Sequence, residues 1–163
     1  MTASGRGGHD RVMSASETDL SRTDLSSPDL LPRPPAPTVW PSVGFADVDA
    51  GVRLLTEGLG FVVTAMHRDG DGVVQHAEAR RASGGGVMFG SRGKPGAWGA
   101  LGPQGVYVVA ADAADVDATW DRVGRIEGVE VLQEVHDTDY GSHEFGVRDA
   151  DGNLWSVGTY RGA

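Results

Sequence analysis

The five residues Ala46-Asp47-Val48-Asp49-Ala50 recur letter for letter as Ala114-Asp115-Val116-Asp117-Ala118, 68 positions further on. In a chain of 163 residues, a repeat at that distance points to two copies of one supersecondary unit packed into a single domain. Each copy follows a strand-like apolar run, Val39 to Phe45 in the first and Val106 to Ala111 in the second. Each also precedes a helical pattern, with Val52, Leu55 and Leu59 in the first and Val116, Trp120 and Val123 in the second, and with an Asp placed to cap the start. Three short strand candidates then follow each helix. They are Phe61 to His67, Val73 to Arg80 and Gly86 to Gly90, and then Val129 to Val135, His143 to Val147 and Leu154 to Thr159, divided by Gly- and Asp-rich turns. The pattern is βαβββ twice, an α+β domain.

Residues 1–37 carry scattered Ser, Thr, Asp and Gly and then closely spaced prolines. Such a stretch buries too little apolar surface to offset the entropy of ordering, and it reads as a disordered, Pro-containing tail. The folded domain is expected over residues 38–163, with module one at 38–92, a Gly-rich linker at 93–104 and module two at 105–160. The net charge of -9 and the lack of a basic cluster interleaved with aromatics exclude nucleic acid as a partner. No apolar run approaches the ~20 residues that cross a bilayer, so no membrane partner is expected. The chain has no cysteine, hence neither a disulfide nor a thiolate metal site, and a reducing cytoplasm is the expected compartment. The acidity is uneven: Thr38 to Gln104 balances six basic against six acidic residues, whereas Gly105 to Ala163 sets four against twelve. A cationic ligand would be drawn to that second half, although a solvated acidic surface that aids solubility is the simpler reading.

The repeated unit resembles the vicinal oxygen chelate superfamily of glyoxalases, bleomycin-resistance proteins and extradiol dioxygenases. The most specific piece is Tyr140-Gly141 followed by Arg148-Asp149-Ala150-Asp151-Gly152-Asn153-Leu154-Trp155. It is similar to the Tyr-Gly, then Arg-Asp-Pro-x-Gly-Asn-x-Trp ending of a bleomycin-resistance-like branch, with Ala150 in place of the usual Pro. Gly58-Leu59-Gly60-Phe61 and the strand around His76-Ala77-Glu78 support it. The resemblance implies two paired modules whose curved sheets enclose a cavity, and a homodimer. Metalloenzymes of that superfamily hold a divalent cation with one side chain from the first and one from the last strand of each module. Here those positions fall on Trp40, on Phe89 with a possible slip to Met88, on Val106 or Val108, and on Ser156. None is a strong ligand for such an ion, which needs carboxylate or imidazole donors. No metal and no other cofactor is therefore expected.

The residues expected to line the cavity are Trp40, Phe89, Trp98, Val106, Tyr140, Glu144 and Ser156. Alternation along the strand that contains Phe145 and Val147 places Glu144 on the cavity side, and His143 with the helix layer. The first reading is a metal-independent protein that sequesters a small organic ligand, cationic or aromatic, without turnover. The second is an enzyme of the superfamily, with a metal relocated to His76, Glu78 or Glu144, or with Glu144 as a metal-free base whose pKa is raised by an apolar cavity. The third is a structural or regulatory module whose aromatics fill the cavity.

Overall fold

The computed structural model describes residues 38–163, so the tail expected over residues 1–37 lies outside the described residues. Module one contains β1 (Ser42–Phe45), α1 (Val48–Arg53), β2 (Phe61–Arg68), β3 (Val74–Arg81) and β4 (Gly86–Ser91). Module two contains β5 (Gly105–Val109), α2 (Ala113–Val123), β6 (Glu130–Asp137), β7 (His143–Arg148) and β8 (Leu154–Gly158). The sheets have the orders β1-β4-β3-β2 and β5-β8-β7-β6. In each, the first strand runs parallel to the last, and the other neighbours are antiparallel. The βαβββ unit occurs twice, as its turn and helix signals require.

The phase of the repeat, however, is not the one its letters suggest. Asp47 caps α1 by accepting from the Ala50 amide at 2.9 Å, and the residue that caps α2 in the same way is Asp112, from the Asp115 amide at 2.9 Å. The structural copies are thus 65 residues apart rather than 68. A three-residue offset is close to one helical turn, so Val116 still faces the core in either phase. Asp115, one turn inside α2, instead receives Arg81 from module one at 3.2 Å.

Each sheet carries its helix on one face, and the two modules share one core. Val43, Phe45, Leu55, Leu59, Val87 and Phe89 enter it from module one, and Val108, Val116, Phe145, Val147, Trp155 and Val157 from module two. The first helix ends in a π-helical turn, Leu54–Gly58, whose Leu59 amide bonds to the Leu54 carbonyl at 2.8 Å, and this turn packs against α2. Polar contacts reinforce the seam. Arg122 Nε donates to the Gly58 carbonyl at 3.2 Å, and the Asp151 carboxylate accepts from the Ala46 amide at 3.0 and 3.1 Å. Trp155 is 1% exposed with its indole N–H on Asp149 at 2.9 Å, and Trp120 packs edge-on to Phe145, as core aromatics do. Among the described residues no helix is long and apolar enough to cross a membrane.

Candidate functional site

The face of each sheet opposite its helix is free of the core. Strand pairing fixes which side chains occupy it. In module one Ser42 lies beside Met88, and Met88 beside Glu78; in module two Tyr107 lies beside Ser156, and Ser156 beside Gly146. Phe89 borders the module-one hollow and Val106 the module-two hollow, but each also packs into the core. Phe89 is 3% exposed in the core, edge-on to Phe45 with centroids 6.0 Å apart. Val106 is in register with Trp155 and packs against the same core. The open positions belong to their neighbours Met88 and Tyr107, since a one-residue slip exchanges the faces of a strand.

On module one, β4 presents Gly86, Met88 and Gly90 to the open face. The Trp40 indole lies across Gly86, where a Cβ would stand 2.5 Å from the ring, and the Arg80 guanidinium stacks on that ring at 4.9 Å. At the other end the Lys94 ammonium sits over Gly90, where a Cβ would come within 2.6 Å of Nζ. Between them a hollow of about 360 Å³ is floored by Ser42, Met88 and Gly90 and walled by His76, Lys94 and Trp98. His76 Nε2 pairs with Glu78 Oε1 at 3.2 Å on the same face.

On module two a shallower hollow of about 580 Å³ is bounded by Tyr107, Leu132, Gln133, Leu154 and Ser156, with no charged side chain in its lining. At its end Glu144, 7% exposed, accepts the Tyr140 hydroxyl at 2.6 Å and the Tyr107 hydroxyl at 3.1 Å. Gly158 makes room for this cluster: a Cβ there would collide with the Tyr107 hydroxyl and with Glu144. Burial pushes the Glu144 carboxyl up, but hydrogen bonds from Tyr140, Ser142 and Tyr107 outweigh it, and the pKa falls below the ordinary value. Tyr107 is raised by burial and by Glu144, and Tyr140 chiefly by its bond to Glu144. The raised carboxyl expected of a base near neutrality is thus overturned. Glu144 is an anion with both oxygens occupied.

Of the seven expected lining residues, Trp40 and Trp98 belong to the open face of module one, and Tyr140, Glu144 and Ser156 to that of module two. Within one chain the two hollows share no lining residue. Of the acidic surplus of the second half, Glu144 stands at the end of the hollow behind the Tyr107 and Tyr140 hydroxyls, and none of it is in the lining itself. Lys94 and Tyr107 are the polar groups that sequence reasoning missed. Tyr107 stands in the unbroken apolar run Val106 to Ala111, which has no alternation to set its phase, and Lys94 stands alone in a Gly-rich linker. A larger space of about 640 Å³ lies between the β3–β4 turn and β5. Its two arginines are engaged, Arg81 with Asp115 and Val109, and Arg161 with the Ala110 and Ala111 carbonyls.

The donor set does not fit a divalent cation. The central open-face positions carry Ser42, Met88, Tyr107 and Ser156, none of them a carboxylate or imidazole. Among the described residues no group of three His, Cys, Asp or Glu side chains is placed to hold a metal.

The fold recurs in solved structures. TioX from Micromonospora sp. ML1 is 27% identical with a TM-score of 0.56, the match covering 74% of this chain and 97% of that one. A lactoylglutathione lyase from Agrobacterium tumefaciens is 22% identical with a TM-score of 0.56, covering 77% and 94%. A glyoxalase/bleomycin resistance protein/dioxygenase family enzyme from Burkholderia phytofirmans PsJN is 9% identical with a TM-score of 0.52, covering 73% and 94%. At their identities the last two share the fold alone. No curated protein matches the chain significantly. The sequence profile of one family matches residues 40–157, the whole span of the paired modules from Trp40 to Val157. The chain belongs to the Glyoxalase/Bleomycin resistance protein/Dioxygenase superfamily.

Proposed function

We propose that this protein binds a small organic molecule with an aromatic part, without a metal and without turnover, as a pair of identical chains. One observation carries the reading: the residues that face the middle of both hollows, Ser42, Met88, Tyr107 and Ser156, offer hydroxyls and a thioether where a Lewis-acid site needs anionic or imidazole donors. Aromatic walls with a few fixed polar groups suit a flat organic ligand. The pairing is supported by apolar side chains left open to water on or beside these faces, Trp98 at 66%, Leu132 at 44%, Leu154 at 43% and Tyr107 at 40% exposure. A second copy that sets its module two against module one would cover them and close each hollow. Glu144 remains an anchor for Tyr107 and Tyr140 rather than a base.

The test is elemental analysis of the purified protein, with light scattering and melting curves in the presence and absence of a chelator. The expected results are no stoichiometric metal, a mass twice the 17.0 kDa of one chain, and a Tm indifferent to the chelator. A bound metal at one per chain, on the His76–Glu78 pair or elsewhere, with a Tm that collapses on its removal, would refute metal-free binding.

A further inference from the structure

We infer that the module-one hollow takes a planar aromatic ring bearing an anionic group, a carboxylate, with Lys94 as its counter-ion and Trp98 as its stacking wall. The inference rests on the small-molecule-binding reading above and names the ligand class for one of its two hollows.

The size is appropriate. About 360 Å³ falls in the usual range for small-ligand cavities. The charge of the lining is one-sided: its ionisable side chains are Lys94 and His76, and no carboxylate lines the space. Glu78, the nearest acid on this face, pairs with His76 and does not line the hollow. The surrounding segment from Thr38 to Gln104 has no net charge, so the overall -9 of the chain does not dominate here.

The ammonium is held rather than trailing in solvent. Half-buried Lys94 donates to the Gln75 carbonyl at 2.5 Å, and the strand beneath gives up a side chain at Gly90 to seat it. Among the described residues it forms no ion pair, so two of its three N–H groups are left for a ligand. An ammonium held against a sheet by one neutral carbonyl keeps donors to spare, and a bound carboxylate gives them a charge-assisted partner.

The loop that carries it is folded on itself. The Gly93 amide donates to the Gly99 carbonyl at 2.9 Å, and the Gly99 amide to the Gly96 carbonyl at 3.1 Å. A Cβ on Gly99 would collide with the Lys94 backbone, so the glycine lets the loop close tightly around it. The loop thereby fixes Lys94 and Trp98 on the same side of the hollow. With Trp98 left 66% exposed above an apolar floor at Met88, a flat ring between the two would bury both.

The probes are 2-naphthoate, its uncharged counterpart 2-naphthamide, and 2-naphthylmethylammonium, each followed by quenching of tryptophan fluorescence and by Tm on the full chain. Naphthoate is expected to bind at least about tenfold more tightly than the amide, and the ammonium more weakly than either. Lys94→Met should bring naphthoate down to the level of the amide without changing the amide, whereas Lys94→Arg should retain the preference. Trp98→Ala should weaken naphthoate and amide alike. If the amide or the ammonium binds as well as naphthoate, or Lys94→Met leaves the preference intact, the anion site is wrong while small-molecule binding stands. If none of the three probes quenches the fluorescence or raises the Tm, the aromatic-anion assignment falls by itself, and the metal and mass measurements above decide the binding reading separately.

Discussion

The two modules solve the same contact, first strand against helix, with opposite divisions of volume. Phe45 in β1 lies two residues before the cap of α1, and Gly51 lies four residues after it; a Cβ on Gly51 would stand 2.5 Å from the Phe45 ring. The equivalent residues around the Asp112 cap are Ala110 and Val116, 1% and 0% exposed. A large strand residue meets a bare helix in module one, whereas at the equivalent buried positions of module two the strand residue is small and the helix residue β-branched. Fold symmetry therefore fixes the positions that face each other, and leaves to the sequence only the partition of a shared space.

The most severe way to break this comparison is to exchange the solutions. Phe45→Ala removes a ring that also supports Phe89 and should cost about 3–5 kcal/mol. Gly51→Val drives a branched side chain into that ring and should cost about 1–3 kcal/mol. The double variant, which copies module two into module one, should be at least about 1 kcal/mol more stable in denaturant titrations than the sum of the singles implies. Additive losses would show that the modules are not interchangeable solutions.

The last turns of the modules differ in the same spirit. Arg81 and Asp149 both bond to the residue four ahead, Gly85 and Asn153, but their side chains go opposite ways. Asp149 stays home. Its carboxylate accepts from the Asp151 and Asn153 amides, the Asn153 side chain and the Trp155 indole, all at 2.9 Å. Arg81 crosses the seam to Asp115 and the Val109 carbonyl, and Asp115 keeps the Ala111 amide as a further partner. Asp149→Ala strands at least two buried donors and should cost about 3 kcal/mol, roughly a 10 °C fall in Tm. Arg81→Met should cost about half of that. Equal losses would mean that the seam stabilises this domain as strongly as the turn does.

Much of this was legible in the residues. The glycines and acidic turns separate the strands, and Asp149 to Trp155 announces a turn and its indole anchor. What alternation could not supply was the face of a strand whose residues are all apolar. Val87-Met88-Phe89 and Val106-Tyr107-Val108 read the same in either phase, so alternation could not say that Met88 and Tyr107, beside Phe89 and Val106, carry the open-face side chains. The letter repeat was equally ambiguous, because a shift of three residues leaves nearly the same helix face inward. Lys94 had no local pattern at all. Its position depends on Gly90 and on Gly99, residues whose part is visible only once the chain is folded.

The smallest effect sharpens the comparison within a single strand, since His143 and Glu144 are adjacent on β7 and point to opposite faces. His143 joins Nε2 to Asp117 at 3.0 Å and Nδ1 to Asp137 at 2.6 Å, and the Asp117 bond, then the Asp137 bond, raise its pKa above 6.5. A raised folded value favours the protonated ring, so its contribution is complete below the unfolded pKa and is lost as pH rises through the folded one. Glu144 has the opposite sign. Its folded pKa lies below 4.5, so its contribution is complete above the unfolded value and is lost as pH falls through the folded one. In a plot of Tm against pH, His143→Gln should flatten the decline on the alkaline side of 6.5, and Glu144→Gln the decline on the acid side of 4.5. Each substitution should leave the other limb as it is in the parent chain. If Glu144→Gln instead steepens the acid limb, the carboxyl is held protonated by its burial, and the balance between burial and hydrogen bonding at the end of the module-two hollow is the reverse of the one its geometry describes.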